Sequence, residues 1–227
     1  MSSQSADTEY LIEIEAIRAD LIEEAKLLIE SAIANTKASS RPKLIHMCGI
    51  PGSGKTTYTD FFLQQNPHYA LVQFDSVMEE LPGYWAEHSR VGSAAAFKQF
   101  ELPARIIGYH LLQALVDNRR DVFFDHGALN RQHVALLKAV SDRGYDVEMH
   151  YVECSLNDAF ARIDKRELLE GRHTPREIVV ERHALLQELL PVYKELVAKF
   201  EEVQPSLYLA ADEHICTPAP NNGECIE

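Results

Sequence analysis

The chain predicts an α/β fold, a parallel sheet with helices on both faces and an extra helix at its N-terminus. Three observations predict it. Short apolar runs alternate with helical patterns, the order that builds a parallel sheet. Three of those runs end at Gly49, Asp75 and Asp125, residue types suited to strand ends. Between the first run and the next helical stretch lies Gly49-Ile-Pro-Gly-Ser-Gly54-Lys55-Thr56, a GxxxxGK[ST] phosphate loop without a gap.

The elements follow in order. From Thr8 to about Thr36, Leu11, Ile14, Ile17, Leu21, Ala25, Leu28 and Ala32 recur at spacings of three and four, an amphipathic helix. Its apolar period is close to that of a coiled-coil seam. The helix therefore suits packing on its own domain, self-association or a regulatory role. Lys37 to Pro42 carries turn formers and reads as a linker. Lys43 to Cys48 is a buried strand by length and flanks, and the phosphate loop leads into a helix from Gly54 to Gln65. A second strand spans Tyr69 to Phe74. Ala94 to Asn118 is helical, with Phe97, Leu102, Ile106, Leu111 and Leu115 on its apolar face. Asp121 to Phe124 is a third strand. Arg131 to Arg143 is a helix closed by Gly144, and Asp146 to Cys154 is a fourth strand.

Ser155 and Asp158 have the spacing of a capping box, which starts a helix running to about Glu170. Thr174, Pro175 and Glu177 suit the N-cap, first and third positions of another helix, running towards Glu202 with a bend at Pro191. Ser206 to Leu209 reads as a last short strand. The organisation expected is thus residues 1–42 as helix and linker, 43–210 as a P-loop domain of the NTPase type, and 211–227 as a polar, Pro-containing, disordered tail.

Lys and Arg number 22 against 35 Asp and Glu, a net charge of -13, which repels phosphate backbones and disfavours nucleic acid as the main partner. The four cysteines match no zinc or CxxC spacing and fit a reduced, cytoplasmic setting. No apolar run reaches the roughly 18 residues of a membrane span.

The phosphate loop carries the chemistry. Gly49, Gly52 and Gly54, with Pro51 and Ser53 between them, let the backbone turn its N–H groups towards phosphate oxygens, and Thr57 continues the turn into the helix. Lys55 supplies a point charge for the outer phosphates. Thr56 is the expected Mg²⁺ ligand for a bound nucleoside triphosphate, taken as ATP. Asp75, after the second strand, can accept the proton of a substrate hydroxyl; a helix cap or a water held on Mg²⁺ is the alternative. Asp125 stands where a Walker-B acid binds Mg²⁺, and a helix-capping role also fits. His126 and Asn130 suit either substrate contact or capping. Arg162 and Arg166 share a helix face, and Arg172 lies in the loop beyond. Together they can close over a triphosphate, or pair with Glu167 and Glu170.

Three functions share these parts. A small-molecule kinase uses Asp75 as base and the arginines as a lid. A nucleotide-driven ATPase or switch acting on a protein partner needs no organic acceptor; no NKxD-like base-reading motif marks a GTPase. A polynucleotide 5′-kinase conflicts with the acidic charge.

The phosphate loop Gly-Ile-Pro-Gly-Ser-Gly-Lys-Thr, the Asp after strand two, and Arg…Arg…Gly-Arg-His-Thr-Pro before a long helix resemble the zeta-toxin group of P-loop kinases over roughly residues 43 to 205. The resemblance implies phosphorylation of the sugar 3′-hydroxyl of UDP-N-acetylglucosamine with ATP and Mg²⁺. It assigns Lys55 and Thr56 to ATP and metal, Asp75 to the base, and Arg162 with Arg172 or Arg166 to the phosphates. Glu101 corresponds to an acidic substrate contact, and Asp125 and Asn130 lie on the substrate side. The sequence departs from the family's usual motifs after strands two and three, both on the acceptor side. The group is held inactive by a helical antitoxin, so an antitoxin-like inhibitor is the implied partner, and residues 8 to 36 are a candidate for a fused one.

Overall fold

The computed structural model describes residues 19–170 and 174–204. Helix α1 (Ala19–Ala34) precedes β1 (Lys43–Cys48), α2 (Lys55–Gln65), β2 (Ala70–Gln73), α3 (Phe74–Glu80), α4 (Tyr84–Val91) and α5 (Ser93–Asp117). Then come β3 (Val122–Asp125), α6 (Gln132–Asp142), β4 (Asp146–Val152), α7 (Leu156–Glu170), α8 (Arg176–Leu196) and β5 (Lys199–Val203). The strands pair in parallel in the order β2-β3-β1-β4-β5.

Alternation along the strands sends neighbours to opposite faces. Leu44, Val122, Phe124, Val147 and Met149 join one core, with residues of α1, α5, α6 and α8. Ile45, Met47, Phe123 and Val152 join a second core, with Tyr58 and Phe62 of α2. Helices therefore cover both faces, as expected.

Of the N-terminal helix, Ala19–Ala34 is described; Thr8 to Arg18 lies outside the described residues. Leu21 and Ala25 are each 2% exposed and belong to the main core. The linker is held by the turn after α5. Ser39 N–H donates to the Arg119 carbonyl at 2.8 Å, and Lys43 N–H donates to Asp121 Oδ1 at 2.7 Å.

Four expectations are corrected. The long helix stops at Leu196, and the last described strand is Lys199–Val203; Ser206 to Leu209 lies outside the described residues, as do 211–227. Lys199, Glu201 and Glu202 look helical in sequence, but charge is tolerated on a strand that closes a sheet edge. The buried face of α5 is Phe100, Ala104, Ile107, Gly108, Leu111, Leu112 and Leu115, while Leu102 is 65% exposed. Pro175 is the N-cap of α8 rather than its first residue, and Thr174 takes a hydrogen bond from Arg166 instead of capping. The second strand ends at Gln73, so Asp75 lies in the first turn of α3. Ser155 behaves as expected: Asp158 N–H donates to its Oγ at 3.1 Å, and that hydroxyl donates to the Asp158 carboxylate at 2.7 Å.

Candidate active site

β1 delivers the phosphate loop to the carboxyl edge of the sheet, where ligands of parallel sheets bind. The loop needs its glycines for space and for conformation. Gly52 and Gly54 have φ of 79° and 99°. A Cβ on Gly52 would lie 2.6 Å from the Ala159 carbonyl oxygen, and one on Gly49 would lie 2.7 Å from Ser53 Oγ. Gly49 N–H donates to the Gly127 carbonyl at 3.2 Å, which ties the loop to the segment after β3.

Two features of the loop suit an anion. Gly54 is the N-cap of α2 and provides no side-chain cap for the helix's first N–H groups. Ser53 is fully buried, and its Oγ has no hydrogen-bond partner among the described residues. Pro51 is half-buried, as is Thr57, and Thr56 is exposed in the first turn of α2. Lys55 Nζ folds back onto the Gly49 and Ile50 carbonyls, at 3.0 and 2.9 Å. Burial pushes the Lys55 pKa down; Asp125 acts against this, and Arg182 and Arg166 add to it.

The acidic side is a short network. β2 and β3 pair with Gln73 opposite Asp125. Gln73 Nε2 donates to Asp125 Oδ2 at 2.8 Å, and Thr59 Oγ1 donates to the same oxygen at 3.0 Å. Ser76 Oγ donates to Gln73 Oε1 at 2.5 Å and so fixes the amide's orientation. Asp125 is 8% exposed. Burial raises its pKa; Lys55, Thr59 and Gln73 pull it back, and the neighbouring Asp75 charge raises it further. The two carboxylates, Asp125 at the end of β3 and Asp75 in the first turn of α3, thus stand within electrostatic reach of each other. Phe74, immediately before Asp75, packs on α5 at Gly108, where a Cβ would collide with the ring.

For a magnesium ion these residues offer hard oxygen donors, the Thr56 hydroxyl and the Asp125 carboxylate. Among the described residues no group of three or more His, Cys, Asp or Glu gathers to hold a metal.

The cationic side is more varied. Arg162 Nη1 donates to the Ser53 and Gly52 carbonyls at 2.9 and 3.2 Å, so this arginine braces the loop. Arg166 Nη2 donates to Thr174 Oγ1 at 3.0 Å, linking the end of α7 to the start of α8. Arg172 lies outside the described residues. Glu101 forms an exposed ion pair with Arg105 one turn on, at 2.5 Å. Asn130 Oδ1 accepts from Gln132 N–H at 2.9 Å, a turn that leads into α6, whose N-cap is Arg131.

Sequence reading missed two features. Arg182, on α8, makes no hydrogen bond or ion pair among the described residues, yet its charge is felt at Lys55 and at His126. The other feature is a buried histidine chain beneath the site. His46 Nδ1 lies 2.7 Å from the Met47 carbonyl, which can only accept, so this nitrogen carries the proton. Neutral His46 Nε2 must then accept from His133 Nδ1–H at 2.8 Å. His133 Nε2 in turn accepts from the Tyr109 hydroxyl at 3.0 Å. The His126 ring lies 4.6 Å from that of His133. Burial drives all three pKa values down, well below the usual range for His46, to about 2 for His126 and to about 4 for His133. These residues are far apart in sequence and follow no motif.

Comparison with known proteins adds a family and three structural neighbours. The family profile described as Zeta toxin matches residues 28–208. A structure from the PezAT chromosomal toxin-antitoxin system of Streptococcus pneumoniae superposes with a TM-score of 0.68 at 15% identity, covering 86% of this chain and 82% of that one. A chain of the AvrRxo1-ORF1:-ORF2 complex with ATP gives 0.64 at 13% identity, over 82% of this chain and 62% of that one, so this chain spans less than two thirds of its length. A putative kinase from Chloroflexus aurantiacus gives 0.51 at 14% identity, over 78% and 98%. No curated protein matches.

Proposed function

The chain belongs to the zeta-toxin family of P-loop kinases, and from that premise we propose that it moves the γ-phosphate of ATP to a hydroxyl of a small molecule. The observation that carries this reading is a second carboxylate, Asp75, in the first turn of α3 directly after β2, whose charge is felt at Asp125. A hydrolytic switch has no need of a base for an organic hydroxyl.

In this mechanism the first N–H groups of α2, Ser53 Oγ and Lys55 hold the triphosphate. Lys55 leaves the Gly49 and Ile50 carbonyls for the outer phosphates, and the anion restores the charged form that burial disfavours. Thr56 and Asp125 would hold Mg²⁺, which supplies charge neutralisation on the outer phosphates. Asp75 accepts the proton of the acceptor's hydroxyl as the hydroxyl oxygen attacks the γ-phosphorus, and the bond from that phosphorus to the β,γ-bridging oxygen breaks to release ADP. Arg162 holds the loop in shape, and Arg166 with Arg172 closes the lid. Glu101 and Asn130 flank the acceptor's side of the cleft.

The acceptor proposed first is UDP-N-acetylglucosamine, as in the zeta-toxin group, and an antitoxin-like protein is the proposed inhibitor. The toxin-antitoxin origin of the PezAT neighbour is in keeping with such a partner. The test is ATP consumption with Mg²⁺ across a panel of acceptors led by UDP-N-acetylglucosamine, comparing wild type with Asp75→Asn. Acceptor-dependent turnover that the substitution abolishes supports the kinase and identifies its substrate class. Hydrolysis indifferent to every acceptor and to Asp75 would overturn the base assignment and favour an ATPase.

A further inference from the structure

Helix α8 buries Val179, Leu186, Leu189 and Tyr193 along one stripe, each at most 3% exposed. At about 100° per residue, Arg182 points between the directions of Leu189 and Tyr193 and so belongs to that stripe. It is nevertheless exposed. At this turn, then, the inner side of α8 faces open space rather than core. Farther along the stripe, the Tyr193 hydroxyl donates to the Ala128 and Asn130 carbonyls, at 2.9 and 3.2 Å. Those carbonyls belong to the segment that follows Asp125 and His126. Because α8 leads into β5, which runs parallel to the other strands, its last turn lies towards the amino edge of the sheet and its first turns, with Arg182, lie towards the carboxyl edge.

An arginine on an inward stripe ordinarily finds a carboxylate. Arg182 has none among the described residues, whereas Arg131 and Arg176, on the two sides of it, pair with Glu188 and Asp164. Its charge reaches Lys55 and His126, the lysine of the phosphate loop and the residue after Asp125. Like charges gathered around a loop shaped for phosphate, with one guanidinium unpaired, call for an anion with several negative oxygens.

We propose that Arg182 binds the terminal phosphate of the nucleotide, from the helix that follows the lid. The inference rests on the kinase reading of the phosphate loop and adds to it a residue outside the motif that defines it. A planar guanidinium can take two oxygens of one phosphoryl group, so its contribution should be felt by ATP and not by ADP.

The experiment is titration of full-length protein with ATP and with ADP, in the presence of Mg²⁺, for wild type, Arg182→Gln, Arg182→Lys and Lys55→Met. Melting curves check that each variant folds. The expected result is a roughly 10- to 100-fold loss of ATP affinity in Arg182→Gln, with ADP affinity within about two-fold of wild type. Arg182→Lys should fall between, because it keeps the charge and loses the fork. Unchanged ATP affinity in Arg182→Gln while Lys55→Met loses it would overturn the Arg182 assignment and leave the phosphate-loop reading standing. Equal losses for ATP and ADP would mean that Arg182 shapes the site without touching the terminal phosphate, and would also overturn it. A wild type that binds neither nucleotide would remove both readings together.

Discussion

Arg162 Nη1 donates to the Ser53 carbonyl at 2.9 Å and shares that donor with Gly52 at 3.2 Å. A single guanidinium nitrogen thus spans two successive carbonyls of the phosphate loop. Arg162→Ala should loosen the loop before any phosphate arrives. ATP and ADP affinity should fall together, about 10-fold, with a loss of about 1–2 kcal/mol in stability. A loss confined to ATP would show instead that Arg162 leaves the loop to touch the terminal phosphate.

Lys55 is held in a half-buried position by two carbonyls, and burial works against its charge. Lys55→Met fills similar space without that charge. Its melting temperature without ligand should match or exceed that of wild type. Saturating ATP should raise the wild-type stability by about 2.7 kcal/mol at a hundredfold excess over Kd. The variant should show no such rise. An ATP-dependent shift that survives in Lys55→Met would remove the lysine from phosphate binding.

What the sequence made legible, and what it left hidden, follows from where each signal resides. The phosphate loop, β1 and α2 were legible because motif, apolar run and helix are contiguous. Asp75 and Asp125 were legible because each closes a short apolar run. β5 was hidden because Lys199, Glu201 and Glu202 resemble a solvated helix face, and only pairing with β4 shows that Lys199–Val203 closes the sheet. The Gln73–Asp125–Thr59 network was hidden for a different reason. Its members lie 52 and 66 residues apart, and only the parallel register of β2 with β3 and the packing of α2 join them. Arg182 carries no local mark at all, since its position is defined by the direction of α8 over the sheet edge.

That network gives a third prediction. Thr59→Val removes one donor from Asp125 Oδ2 in a buried setting. The carboxylate pKa should rise further, because burial already raises it and Thr59 is among the groups holding it down. Activity should then fall on the acid side of the pH profile, with the acidic limb moved to higher pH, while ATP affinity at pH 8 changes less than about three-fold. A profile that keeps its shape would mean that Asp125 ionisation does not limit the reaction.

The N-terminal helix is a candidate inhibitory segment by resemblance, but its described half is built into the core. Leu21 and Ala25 are each 2% exposed, and the Arg120 guanidinium donates to the Ile33 carbonyl at 3.2 Å. Leu21→Ala should cost about 2–4 kcal/mol in urea unfolding, as other core truncations do. Deleting residues 1–36 should lower stability without raising turnover per folded molecule. Higher turnover in the deleted protein would restore the inhibitory reading.

The histidine chain makes stability depend on pH with a definite sign. His46, His126 and His133 are kept neutral in the fold, by burial first and then by one another and by the charges of Arg105, Lys55 and Arg182. Tyr109 faces His133 as a donor and accepts no proton from it. Each folded pKa lies below the unfolded value near 6.5, so the unfolded chain binds more protons and stability rises with pH. The stability is fully present above about 6.5. For His133 it is lost as pH falls from there towards about 4, at about 1.4 kcal/mol per pH unit. Urea midpoints measured between pH 7.5 and 5 should therefore drop steeply. His133→Gln removes one titrating group and should flatten that slope by about 1.4 kcal/mol per unit, even if the variant starts from a lower midpoint at pH 7.5. An unchanged slope would mean that His133 is already charged in the native protein, with its Nε2–H donating to the Tyr109 hydroxyl.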